Sequence, residues 1–177
     1  MSLSDEERRA DKKRTLTHMM RDVGDHRTWE VRFEPNEPGL AETHTTTWRE
    51  LLDDNLVDDK LSTHAGPRYR LTYHGWLRAL MWSGEIDAPS TRERCTRLAQ
   101  ALKRVVKGRT SHYDEFASVS ELSAVTDLPE GWLVNALDAG LLSVVFPDDK
   151  WDAHMDPKSR NVVRVSPTFG LNHLFGE

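Results

Sequence analysis

Positive charge is the chemistry this chain concentrates most densely. Arg92, Arg94, Arg97, Lys103, Arg104, Lys107 and Arg109 fall in one segment, opposed there only by Glu93. Arg97, Gln100, Arg104 and Lys107 recur at helical spacing, which places a basic stripe opposite the apolar Leu98, Leu102 and Val105. A phosphate backbone or an acidic partner can lie along such a stripe. Two blander arrangements use the same residues: a solvated helix face, or one neutralised by the acidic second half of the chain.

Catalytic constellations are not written into the sequence. The eight histidines form no HExxH or HxH pattern. Asp148, Asp149, Asp152, His154 and Asp156 crowd together, but without the glycine and terminal glutamate of a calcium loop. They read as a polar hairpin tip. Cys95 is the only cysteine, so an internal disulfide and a cysteine-rich zinc site are both excluded. Arg94 and Arg97 beside it can lower a thiol pKa, yet a lone helical cysteine more often packs than attacks. Glycine-rich phosphate loops and a Gly-x-Ser-x-Gly elbow are missing. The expectation is therefore binding without catalysis, with no metal and no cofactor.

Composition bounds the partners. Charged residues make up 30% of the 177 and hydrophobic ones 37%, with six Trp as core anchors, so the chain is expected to fold and stay in solution. It holds no apolar run long enough to cross a bilayer, and MSLSDEERR lacks a signal-peptide core, so a cytoplasmic address is expected. Residues 1–109 carry 20 Lys+Arg against 18 Asp+Glu, a net of +2, whereas residues 110–177 carry 4 against 11, a net of −7. The overall charge of −5 argues mildly against a generic DNA-binding surface, because phosphate neutralisation supplies most non-specific affinity.

Among the elements that must position these groups, residues 47–76 are the most legible: TWRELLDDNLVDDKLSTHAGPRYRLTYHGW. Thr47 and Glu50 have capping-box spacing, and Trp48, Leu51, Leu52 and Leu56 share a helix face. Asn55 can close that helix. Leu56-Val57 and Tyr69 to Thr72 then pair as antiparallel strands across a tip with Gly66 and Pro67. Thr72 caps a further helix with Trp76, Leu77, Leu80 and Met81 as its stripe. Upstream, residues 5–22 suit a helix that packs through Leu16, Met19, Met20 and Val23, and WEVRF at 29–33 alternates as a half-buried strand does.

The 47–76 segment resembles the recognition helix and wing of the winged-helix superfamily, where a strand ending in YRLT before a glycine-containing helix start is familiar. It covers about a sixth of the chain. The resemblance implies a binding fold that serves both DNA readers and protein-docking modules. Only residues 39–45 are left for the middle helix of that pattern, which must be short or missing.

Residues 90–166 resemble a second, fuller copy. Ser90 and Glu93 have capping-box spacing before a helix to Lys107, and residues 116–117 suit a short strand. Ser118 and Glu121 cap a helix ending near Asp127; Pro129 to Ala139 forms the next, with Trp132, Leu133, Ala136 and Leu137 inward and Gly140 as its stop. Leu141 to Phe146 and Asn161 to Val165 are the expected hairpin strands, and residues 167–177 a short closing helix.

The fold class expected is thus mainly α with small β-hairpins (α+β), as tandem winged-helix units at 1–84 and 85–177. Outward positions on the two recognition-helix candidates are Arg49, Glu50, Asp53 and Asp54, then Glu130, Val134, Asn135 and Asp138. Arg49 or Asn135 can read a base edge, but neither face carries enough cations to offset phosphate repulsion, so major-groove insertion is disfavoured. The candidate nucleic-acid contacts are Arg49, Arg68, Arg70, Arg94, Arg97, Arg104, Lys107 and Asn135. The first functional expectation is a DNA-associated regulator or accessory factor touching phosphates through the stripe and the Arg68/Arg70 wing. The alternative is a protein-interaction module that docks a partner or a second copy and does not bind DNA.

Overall fold

The computed structural model describes residues 3–25, 31–60, 66–107, 117–147, 151–155 and 163–167, with the backbone alone for 105–107, 117, 151–155 and 163–167. The first helix, α1 (Asp5–Asp25), opens on a reciprocal cap: Ser4 N–H donates to the Glu7 carboxylate at 2.7 Å and Glu7 N–H to Ser4 Oγ at 3.3 Å. That cap orders a charge-rich first half which its composition alone leaves solvated. Leu16, Met19, Met20 and Val23 are buried along one stripe, and the helix lies against both α3 and α6 described below.

Phe33 pairs antiparallel with Tyr69 through two backbone hydrogen bonds of 2.8 and 2.9 Å. Hydrogen-bonded turns occupy residues 34–43, where the winged-helix pattern places a middle helix, and α2 (Thr45–Asp53) follows. Its cap differs from the one the sequence suggests. His44 is the N-cap, its ring accepting from Thr46 N–H, and Thr47 is buried inside the helix donating to Asp11 at 2.6 Å. The partly buried Asp11 carboxylate, which also accepts from His44 N–H, rewards the hydroxyl more than a reciprocal box with Glu50 would. Glu50 instead pairs with Lys12 at 2.7 Å.

Asn55 closes α2 in the left-handed region (φ 55°), and the chain enters the hairpin of β1 (Val57–Asp58) and β2 (Arg70–Leu71), with Val57 opposite Leu71. Thr72 caps α3 (Tyr73–Ser83), accepting from Gly75 N–H at 3.0 Å. Trp76, Ala79 and Leu80 face inward, but Met81 is 54% exposed and leaves the stripe expected of it. After a single 3-10 turn over Glu85–Asp87, α4 (Pro89–Lys107) begins two residues earlier than a Ser90 cap would place it, with Pro89 in the first turn where its missing N–H costs nothing.

The second half contains β3 (Ala117–Ser118), α5 (Val119–Thr126), α6 (Glu130–Asp138), α7 (Leu141–Val145), β4 (Trp151–Met155) and β5 (Val163–Pro167). Ser118 and Glu121 form the expected capping box. The strands are ordered β3-β5-β4, all antiparallel, with Ala153 opposite Val165 and Ala117 also opposite Val165 from the other side. Residues 141–145, expected as a strand, are helical. Gly140 (φ 64°) ends α6, and Leu141 and Leu142 are both fully buried, which adjacent residues of a hairpin strand with one solvated face cannot be. The hairpin strand falls later, at β4. The expected closing helix at 167–177 lies outside the described residues apart from Pro167, which ends β5; of the strand expected at 29–33, residues 31–33 are described, and among them only Phe33 pairs, with Tyr69. The observed class is mainly α with small antiparallel β, as expected.

One continuous core links the two halves. Trp76 of α3 is fully buried and meets Trp132 of α6 edge to face, with ring centroids 6.3 Å apart and planes at 77°. Trp48 stacks on Tyr69 at 4.2 Å, tying α2 to the Phe33 bridge. Gly75 is what lets α3 approach so closely: a Cβ there would sit 2.0 Å from the Leu56 carbonyl oxygen. Because that atom is backbone, it cannot step aside. Gly75→Ala is therefore expected to destabilise the chain by about 3 kcal/mol or more, against the usual gain from replacing a helical glycine, read as a drop in the urea midpoint at unchanged slope.

Candidate nucleic-acid interface

The basic stripe rests on α4, whose inner face buries Cys95, Leu98, Ala99, Ala101 and Leu102. Thr91, also buried, anchors the first turn by donating to the Glu85 carbonyl at 2.6 Å. With that face fixed, helical geometry turns Arg92, Arg97, Gln100 and Arg104 to the surface, and all four are exposed. Arg97 is held in place. Its Nη1 lies 3.3 Å from the Thr126 carbonyl oxygen at the end of α5, where a cation meets the negative pole of that helix, and its Nε is 4.0 Å from Glu93. Its side chain remains 43% exposed, enough to offer charge outward.

The other sequence candidates scatter. Arg94 turns inward and lies over the Trp132 ring, 5.7 Å from its centroid, so it joins the helix seam and not the stripe. Arg70 is committed to its cross-strand neighbour Asp58, with Nη2 and Nε at 2.7 and 3.1 Å from one carboxylate oxygen. Arg68 faces Glu34 at 3.3 Å. The wing cations are thus largely spent inside the molecule. Arg49 is exposed on α2, beside a Glu50 already tied to Lys12. Lys107 ends α4, and its side chain is outside the described set.

Asn135 overturns its expected role. It is 8% exposed, with its amide donating to the Gly131 carbonyl at 2.8 Å, and Val134 beside it is 3% exposed. The reason is tertiary: α6 is packed by α1 and α3 on one flank and by α5, α7 and β4 on others, so little of its circumference is left to face outward. The amide satisfies its own helix and reads nothing.

Cys95 also departs from the reactive reading. It is fully buried, and burial pushes its thiol up to about 11, with Arg92 pulling only weakly the other way. Among the described residues no three His, Cys, Asp or Glu side chains converge as a metal set, and no helix is long and apolar enough to cross a membrane. The Asp148–Asp156 cluster lies outside the residues whose side chains are described.

One group escaped the sequence reading. Asp138, an outward position of α6 by its spacing, lies in a cleft of about 520 Å³ shared with the β1–β2 ladder and the start of α3. Burial pushes its carboxyl up to about 6, and among the described residues no donor or cation pairs with it. Only the contact between α6 and the first hairpin, made across more than sixty residues of sequence, could have revealed this.

Neither the scan of family models nor the searches of curated proteins and solved structures returned a match.

The Asp138 shift has a signed consequence. With its folded value near 6 and an ordinary value of 3.8, the native state binds more protons than the unfolded one between those limits, so this group adds stability as pH falls from about 6 to about 4 and costs stability above. Asp138→Asn is expected to raise the unfolding free energy at pH 7.5 by about 1–3 kcal/mol. At pH 4 the gap to the parent chain should close. Paired urea titrations at the two pH values check it; an equal gap at both would place the cause elsewhere.

Proposed function

We propose that the chain is a tandem winged-helix protein, with units at 1–84 and 85–177, that associates with duplex DNA through phosphate contacts along α4 and acts by binding, as a regulator or accessory factor. The repeated strand order supports the fold reading. In the first half Phe33 and β1 flank the 69–71 strand; in the second β3 and β4 flank β5, so in each the last strand is central. Both follow a leading helix, α1 or α4; α2 runs straight into the first hairpin, whereas the short α7 stands between α6 and the second.

The observation that carries the DNA reading is the exposed face of α4. Arg92, Arg97 and Arg104 stand there with Gln100, and Glu93 is the single carboxylate in the helix. A row of cations on a rigid helix can replace condensed counterions along a duplex. Sequence reading by α6 is not part of this proposal, since Asn135 and Val134 are buried. Contacts would therefore be to backbone, with affinity weak and sequence-tolerant.

A second reading, docking of a protein, is favoured by one feature of α3. Tyr73 and Met81 are 45% and 54% exposed and flank the partly buried Leu77 at four-residue spacing, an apolar strip at the surface. Salt separates the two readings. Fluorescence anisotropy on a labelled 20-base-pair duplex is expected to give micromolar binding at about 50 mM salt, falling with a log–log slope near −3. Arg97→Glu with Arg104→Glu should weaken it at least about tenfold and bring the slope nearer zero by roughly 2. Binding unchanged by that pair removes α4 as the surface, and absence of duplex binding at low salt favours docking.

A further inference from the structure

The cleft around Asp138 has no part in a phosphate-binding face, and its lining is of another kind. About 520 Å³ is within the range of small-molecule sites, and the cleft is lined by residues of both halves of the chain, from the first hairpin and from α6. Leu71 and Val134 give it an apolar floor, and the rings of Tyr73 and His74, 4.1 Å apart and tilted by 42°, give it an aromatic side. Its formal charges, Asp58 and Asp138 against Lys60 and Arg70, cancel in sum but not in place. Asp58 and Arg70 neutralise each other, Lys60 is an exposed rim residue, and the Asp138 carboxyl, mostly enclosed, has no partner among the described residues. Asn135, whose amide N–H donates to Gly131, lines the same cleft and brings an amide oxygen as a second acceptor.

A folded chain that keeps an unpaired carboxyl in an aromatic-walled cleft carries a cost that a bound cation would repay. We propose that this cleft binds a small organic cation, a protonated amine or amidine on an aromatic body, with the cationic group on Asp138 and the ring against Tyr73 and Leu71. An aromatic body covers the apolar floor, and the ammonium donates to Asp138 and to the Asn135 oxygen. The site is independent of whether α4 meets DNA, so either proposal can fail alone.

Tyramine, its uncharged analogue 4-ethylphenol and the anion 4-hydroxyphenylacetate are the probes, titrated into the whole chain at pH 7.5 and followed by ligand-observed NMR and thermal shift. Tyramine is expected to bind with a Kd of about 0.1–1 mM and to raise Tm, the other two at least about tenfold more weakly. Asp138→Asn, a variant expected to be the more stable at this pH, should lose tyramine by about tenfold or more, and Tyr73→Ala, at an exposed position, by a few-fold. Any of three results overturns the assignment: no tyramine binding at about 10 mM, equal binding of all three probes, or tyramine affinity unchanged in Asp138→Asn. Preference for the anion would also overturn it, giving the cleft to Lys60 and His74.

Discussion

The edge-to-face contact between Trp76 and Trp132 is the constraint on which the other placements depend. Each indole comes from a different half of the chain, and α1 lies across both of their helices. Once the two rings meet, α6 is committed to the interior, Asn135 and Val134 are covered, and Arg94 is drawn over the Trp132 face. A buried Trp is worth roughly 3–5 kcal/mol against truncation, a sizeable share of the stability of any single domain. The halves are therefore not two beads on a string. The geometry that welds them also takes away the helix face that would otherwise be free to read a groove.

The same economy governs the charges. Lys12 holds Glu50 and Asp54, Arg21 holds Glu85, and Arg70 holds Asp58. Most of these pairs are surface contacts of small individual worth, but they decide which cations remain available to a partner. What remains outward on α4 is modest in number, and Arg97 is already half engaged by the end of α5. A duplex held through so few phosphate contacts would be bound weakly and with little selectivity.

Much of the helical framework was legible because its signals are local. The Ser118/Glu121 box, the Thr72 cap, the Gly140 stop and the inward set Trp132, Leu133, Ala136 and Leu137 all stand as the spacing implies. Local rules misplaced elements where two signals compete. Thr47 had the spacing of a cap but is taken up by Asp11, thirty-six residues away, and the run from Leu141 to Phe146 fits a strand or a buried helix equally until Leu141 and Leu142 are seen to share a core. The candidate sites were the least legible. The outward placement of Arg97 and Arg104 follows from periodicity alone, whereas the burial of Asn135 and the seating of Asp138 in a cleft follow from contacts between distant segments that no window of sequence contains.

The indole nitrogens of Trp76 and Trp48 are buried without an acceptor among the described residues. A donor left unmet in the interior is unfavourable, so the junction is bound by shape and apolar area and not by polar registration. It also gives the molecule an optical gauge. An indole shut away from water emits at shorter wavelength than a hydrated one, so any parting of α3 from α6 would redden the emission while the helices themselves stayed intact.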